Sequence, residues 1–436
     1  MKVAVVFIIL LVILLPTMGS VMTGDGTIKG RLQTFVSYGL SLTGFLLCLL
    51  TIAVSVYSMT SDLEQKQIYT VLTKPVHRFQ LILGKLLGVV LLDVVLLILF
   101  SAVIYAVTIY MPRFFDASEA ELVRAENEFF TARASLTPAE EDVTKEVELA
   151  YEKLERAGQL PPGVPRSKII SQLTSQKKLQ KRAAVVGQEL AWEFNNVKLI
   201  EPARSLFVRF KYSVSVNPPD SQVFGRWDIG DYRQLEYGKI ETPIYRFDRK
   251  DPARTFCEIE VPADAVAKDG YLAVRFLNVP LNNTVVIFPP KDGLEVLYKA
   301  DTFTANFIRA VFLILFRLIF LAVLGILAST FLSFPVAILF CLVIFFTGSI
   351  SGFILESFSF LGEGISGFYS YTVEPIIKLL PQFDKINPAK FLVPARLLSW
   401  FFLAKVAGIM IGIKAFLLLL LSLLIFTYRE IAKIII

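Results

Sequence analysis

The sequence predicts an α-helical polytopic membrane protein with six transmembrane helices and an inserted α+β domain, a helical hairpin plus a β-sandwich. Three observations predict it. First, 55% of the 436 residues are hydrophobic and the mean hydropathy is +0.61, above the roughly 45–50% apolar share of ordinary soluble domains. Second, the apolar residues gather into six runs, each near the ~20 residues needed to cross a hydrocarbon core of ~30 Å. Third, between the third and fourth runs the pattern turns to amphipathic helices and then to alternation of period two.

In chain order, the first run covers 3–22, after Lys2. A secretory signal peptide ending near Met18-Gly19-Ser20 is the alternative, but no small-x-small cleavage site is clean. The second and third runs are 36–59 and 86–111. The stretch between them, 60–85, carries Lys66, Lys74, Arg78 and Lys85, which the positive-inside rule assigns to the cytoplasm. Residues 23–35 and 113–302 then lie outside. Within the insert, 113–198 reads as helical. Ser118 with Glu121, and Thr137-Pro138 with Glu140, look like capping boxes. Val143, Val147, Ala150 and Leu154 form a stripe that Gly158 ends. A further helix is expected from Lys168 to about Leu190. The charges of this region read as a solvated hairpin face, or as a docking face for a partner.

From 199 to 302 the period is two. Leu206, Val208, Phe210, Tyr212, Val214 and Val216 face one way. Further strands are expected at 223–229, 242–247, 255–261, 271–278, 284–288 and 294–298, with turns at Asn217-Pro218-Pro219-Asp220, Lys268-Asp269-Gly270 and Lys291-Asp292-Gly293. Short strands at this spacing argue a β-sandwich. Trp227, Tyr232, Tyr237 and Tyr245 read either as a ligand-binding aromatic face or, in preference, as core and rim.

Spans resume at 303–328 and 332–356, a tight hairpin. Residues 357–403 hold Gly362, Gly364, Gly367, Pro375, Pro381, Pro388 and Pro394, too broken for a straight span. Such backbone is tolerated at membrane depth only when protein or a wet cavity covers it, so interfacial or re-entrant helices on the outer side are expected. The last span is 404–427. Arg429 and Lys433 follow it, and both termini are expected inside. The domain reading is therefore 1–112 membrane, 113–198 helical, 199–302 β-sandwich and 303–436 membrane.

Composition excludes several functions. One histidine, His77, rules out a His-based triad or a multi-His metal site, and three cysteines without CxxC make no disulfide framework. A net charge of +6 without a basic, aromatic-laced stripe argues against nucleic acid. No GxxxxGK[ST] occurs, so the chain does not cradle ATP phosphates in that way.

The stretch Thr60 to Gly88 combines an amphipathic segment with dense mixed charge. It contains Leu63, Ile68, Val71, Leu72 and Val76 at near-helical spacing, a stop at Pro75, and Gly84-Lys85 opening the next span. With Glu64, Ile68, Leu72, Pro75, Arg78 and Gly84-Lys85 in this order, and a second motif at Ser329 to Ala337, it resembles the type-two ABC exporter permease family. The resemblance covers the membrane half only. It implies a permease subunit, not an enzyme, of a bacterial inner-membrane ATP-driven exporter. It implies a separate ABC ATPase partner that uses ATP-Mg, no cofactor or metal in this chain, a second permease subunit, and 357–403 as the external gate region. The ATPase contact is expected at Glu64, Gln65, Ile68, Tyr69, Leu72 and Pro75, through a short helix in a groove on the partner. The external domain is large for the family and suits an external protein or a glycan. The rival reading is a membrane-anchored scaffold or binding protein working through its β-sandwich.

Asp93, Arg309, Arg317 and Lys414 lie inside apolar runs, where charge is costly and marks function. Depth reckoned along the helices leads to an expected Asp93–Arg317 ion pair, read as a staple in preference to a substrate path. Arg309 and Lys414 are expected to snorkel.

Overall fold

A computed structural model describes residues 2–22, 24–64, 77–115, 118–140, 142–160, 166–197, 205–238, 241–290, 292–359 and 372–428. The chain divides into two compact units, 1–132 with 301–436, and 133–300.

The first unit is a bundle of apolar helices, and it makes this a membrane protein. Four helices are long and apolar enough to cross a bilayer: Ile28–Asp62, Arg78–Arg113, Phe303–Phe331 and Trp400–Tyr428. Two apolar helices are shorter, Ile8–Gly19 and Phe334–Ser349. We label the elements α1 (Lys2–Val21), α2 (Ile28–Glu64), α3 (Arg78–Tyr110) and α4 (Glu119–Glu128). The expected runs 36–59 and 86–111 are thus the apolar middles of longer helices. Glycine allows the tightest crossing: a Cβ on Gly325 would collide with the Ser55 side chain of α2. The core of this unit runs from Leu11 and Leu15 through Phe35, Phe100 and Leu321 to Phe426, all essentially inaccessible.

Helix ends are joined at both ends of the bundle. At one end Asp62 of α2 pairs with Lys85 of α3. There Arg78 Nη1 donates to the Phe426 and Thr427 carbonyls at 3.0 and 2.7 Å, placing a cation on the C-terminus of the last span. At the other end Lys29 pairs with Glu128. There Arg309 pairs with Asp301 at 2.5 Å and lies over the Trp400 ring.

The second unit holds strands β1 (Thr131–Leu136) through β11 (Leu294–Thr302), in three sheets ordered β1-β11-β4-β8, β2-β10-β5 and β3-β9-β6-β7. The intermediate strands are β2 (Ala183–Ala184), β3 (Glu189–Phe194), β4 (Leu206–Phe210), β5 (Ser213–Val214), β6 (Gln222–Gly230), β7 (Tyr245–Pro252), β8 (Cys257–Val261), β9 (Leu272–Asn278) and β10 (Val286–Ile287), with the short helix α7 (Arg233–Tyr237) between β6 and β7. The two four-stranded sheets share one core: Phe210 of β4 meets Trp227 of β6 with ring centroids 4.3 Å apart. Trp227 is fully buried, so it belongs to the core and to no ligand-binding face. All six further strand positions read from the sequence carry strand.

Three local expectations are corrected. The helix expected at Thr137-Pro138 begins instead as α5 (Thr144–Arg156). Asp142 Oδ1 accepts from both the backbone N–H and the hydroxyl of Thr144 there, so the carboxylate sets the start. The next helix, α6 (Arg166–Lys181), stops well short of Leu190. Leu190, Trp192 and Phe194 alternate with Glu189, Ala191 and Glu193, and that period-two run pairs with β9. The long strand expected from Leu206 breaks after Phe210, and Val216 is 66% exposed. As expected, α5 and α6 form a hairpin, tied by Lys181–Glu146 at 2.9 Å, and Gly158 ends α5 with φ +63°.

Candidate functional site: a re-entrant segment clamped at mid-helix

After α8 (Phe303–Phe331) and a two-residue link comes α9 (Phe334–Ser349). The expected single span 332–356 is broken at Ile350, and α10 (Ser351–Ser359) follows. Helix α11 (372–379) then leads into a turn at 380–387, short helix α12 (Ala389–Leu392), and the last span, α13 (Trp400–Ala407), a π-helical stretch Gly408–Ala415 and α14 (Phe416–Tyr428).

The turn at 380–387 is held deep in the bundle. Arg317 lies fourteen residues from either end of α8, about 21 Å along the axis. Its Nη2 donates to the Phe383 carbonyl at 3.0 Å, and its guanidinium lies 5.2 Å from the Phe383 ring centroid. Lys414, equally central between Trp400 and Tyr428, donates to the Leu380 carbonyl at 2.8 Å. The Phe383 N–H donates to the Gly348 carbonyl at 2.9 Å, and the Ser351 hydroxyl donates to Asp384 Oδ1 at 2.6 Å. Phe383 is 1% exposed, packed against Phe320 and Phe345. Farther along the chain, Asn306 near the start of α8 accepts from the Leu398 N–H and donates to the Arg396 carbonyl, both at 2.8 Å. Arg317 is eleven residues beyond Asn306, so the chain rises about 16 Å between Phe383 and Arg396. From the middle of α8 the chain thus runs back to the start of that helix.

The sequence makes room for it. A Cβ on Gly348 would lie 2.5 Å from the Pro381 carbonyl oxygen, and one on Gly352 would collide with Asp384. Non-helical backbone in a membrane bundle needs donors for its carbonyls, and the two half-buried cations, Arg317 and Lys414, supply them. The π-helical stretch holds Lys414; π-turns are rare and recur at functional sites.

This arrangement corrects two expectations. Arg317 and Asp93 form no ion pair. Asp93 of α3 is 1% exposed, its Oδ1 lies 2.9 Å from the Thr51 hydroxyl of α2, and its Oδ2 has no hydrogen-bond partner. Cys48, one turn from Thr51 on α2, is within electrostatic reach of both charges. One donor of Arg317, Nη2, is directed to the turn instead. Lys414 does not snorkel to a helix end; it serves the same turn. Arg309 does sit near its helix end.

The expected ATPase contact lies mostly outside the described residues: Gln65, Ile68, Tyr69, Leu72 and Pro75, and the side chain of Glu64, which closes α2. In the second motif, Ser329 and Thr330 donate within their own helix to the Ile326 and Leu327 carbonyls at 2.7 and 2.6 Å. Among the described residues no three His, Cys, Asp or Glu side chains are grouped to hold a metal. His77 is exposed and stacks on Phe79. The site residues that sequence reasoning missed are Thr51, Gly348, Ser351, Gly352 and Asp384. The four small residues Gly348, Ser349, Ser351 and Gly352 around Ile350, inside an apolar span, were the available signal. Compared with known proteins, the chain matches no family model, no curated protein and no solved structure.

Proposed function

We propose that this chain is the permease subunit of an ATP-driven ABC exporter in a bacterial inner membrane. The observation that carries the reading is the 380–387 turn clamped at mid-helix by Arg317 and Lys414. An anchor has no use for mid-helix charges that hold non-helical backbone inside the bundle, whereas a transport path needs an element able to open and close it. The resemblance of Thr60–Gly88 assigns the energy source to a separate ABC ATPase using ATP-Mg, docking at Glu64, Gln65, Ile68, Tyr69, Leu72 and Pro75. Six passes are favoured by the way α2 and α3, and α3 and α14, meet at one end of the bundle through Asp62–Lys85 and Arg78. In this reading both termini and 60–85 are cytoplasmic and 113–302 is extracytoplasmic. A second copy or a similar subunit completes the membrane unit, and the β-domain meets an external protein or glycan. ATP binding closes the cytoplasmic side and displaces the spans through the 60–75 segment.

The test is affinity purification of the tagged chain in mild detergent, with ATPase assay of what co-purifies and Glu64→Ala and Leu72→Ala in parallel. A co-purifying ATPase lost in the variants supports the reading. A folded, ATPase-free chain with only external partners overturns it in favour of the scaffold.

A further inference from the structure

At the end of the bundle where Asp62 meets Lys85, α1, α2, α3 and the first residues of α9 line a half-open cavity of about 1490 Å³. That exceeds the ~300–1,000 Å³ of ordinary small-molecule pockets. Its two ends differ in chemistry. Ser58, Ser61, Asp62, Gln80 and Lys85 line one end, and Leu50, Val54, Leu81, Val89 and Leu92 line the rest. Asp62 and Leu50 are twelve positions apart on α2, so the apolar slot runs about 18 Å from the polar mouth.

One wall of the slot is bare. Gly84 and Gly88, one turn apart on α3, line the cavity, and a Cβ built on either meets nothing within 4 Å. The mouth holds one cation and one anion side by side. Lys85 and Asp62 keep 18% and 26% of their side chains exposed, and Lys85 also donates to the Ser58 carbonyl at 2.5 Å. Water in the apolar slot would lack the two to four polar partners it needs.

We propose that this cavity holds a resident membrane phospholipid with a zwitterionic headgroup. Its phosphate faces Lys85, its ammonium faces Asp62, and an acyl chain lies along Gly84 and Gly88. The mouth selects the headgroup: an anionic lipid leaves Asp62 facing negative charge, and a cationic amphiphile does the same to Lys85. Only a dipolar headgroup answers both. The site is a permanent fixture of the α2–α3 pair and stands independently of any transport activity.

The test uses the full chain reconstituted with equal amounts of phosphatidylethanolamine and phosphatidylglycerol, extracted in mild detergent, with retained lipids counted by native mass spectrometry. One phosphatidylethanolamine per chain should survive activation that strips other lipids. Gly84→Phe/Gly88→Phe should reduce that retention at least tenfold. Leu91→Phe, at a 66% exposed position outside the cavity, should not. Asp62→Asn/Lys85→Gln preserves the cavity volume and should keep a lipid while losing the preference for phosphatidylethanolamine; this arm decides the matter if the phenylalanine variant misfolds. A parent chain that retains no lipid, a preference for phosphatidylglycerol, or undiminished retention by folded Gly84→Phe/Gly88→Phe overturns the proposal.

Discussion

Gly348→Ala tests the re-entrant clamp with a single methyl group. The added Cβ would lie 2.5 Å from the Pro381 carbonyl oxygen and 2.9 Å from Cδ2 of Phe383. Both neighbours belong to the turn held by Arg317 and Lys414, so neither yields without moving the turn. Overpacking of this kind costs ~1–3 kcal/mol. The turn itself supplies the reporter, because the Phe383 N–H donates to the Gly348 carbonyl and exchanges only when that contact opens. If the cost falls on the closed state, the opening equilibrium of the Phe383 amide rises about 5- to 150-fold. Hydrogen exchange on peptides spanning 380–387, with the full chain in detergent, reads this directly. Gly408→Ala is the control, since a Cβ there meets nothing within 4 Å, and it should leave exchange unchanged. Unaltered Phe383 exchange in a folded Gly348→Ala protein would refute the packing argument.

Three further outcomes are expected. Arg317→Met and Lys414→Met each remove a charged donor from a part-buried hydrogen bond to a carbonyl of the turn; each should lower stability by ~1.5–3 kcal/mol, seen as a fall in the thermal midpoint in detergent and faster exchange over 380–387. Asp93→Asn keeps an oxygen beside Thr51 and should cost under ~1 kcal/mol, whereas Asp93→Ala strips the Thr51 contact and should cost ~1–3 kcal/mol in the same unfolding assay. Burial, with Asp251 adding negative charge, pushes the Cys257 thiol up from its ordinary value of 9.0 to about 11. The neutral thiol therefore persists as pH rises past 9, so alkylation of Cys257 should keep accelerating to about pH 11, and a rate that levels off near pH 9 would contradict the burial.

Apolar runs and period-two alternation were legible because they are written in consecutive residues. The helices around 36–59, 86–111 and 303–328 and strands β6 to β11 followed from those patterns. Boundaries were harder. Thr137-Pro138 carries every formal sign of a helix start, yet Asp142 sets the beginning of α5 by accepting two hydrogen bonds from Thr144. The alternation of Glu189 to Phe194 is hidden by the helical pattern before it, where Lys and Gln up to Lys181 and then Ala183-Ala184 give no clear stop before Gly187. The clamp was least legible. Sequence offered Asp93 as the natural partner of Arg317 because charge seeks countercharge. The actual partner is a backbone carbonyl 66 positions away, and carbonyls are the same at every residue.

Arg78 sits at the foot of α3, directly after the charged 60–77 stretch, and its single Nη1 holds two carbonyls in the last turn of the final helix. Two distant parts of the chain, residues 78 and 426–427, thus share one hinge pin. A push that shifts the start of α3 must either drag the C-terminal helix with it or expose its end carbonyls. Motion applied at that point reaches the helix carrying Lys414 in one step, without crossing the interior of the bundle.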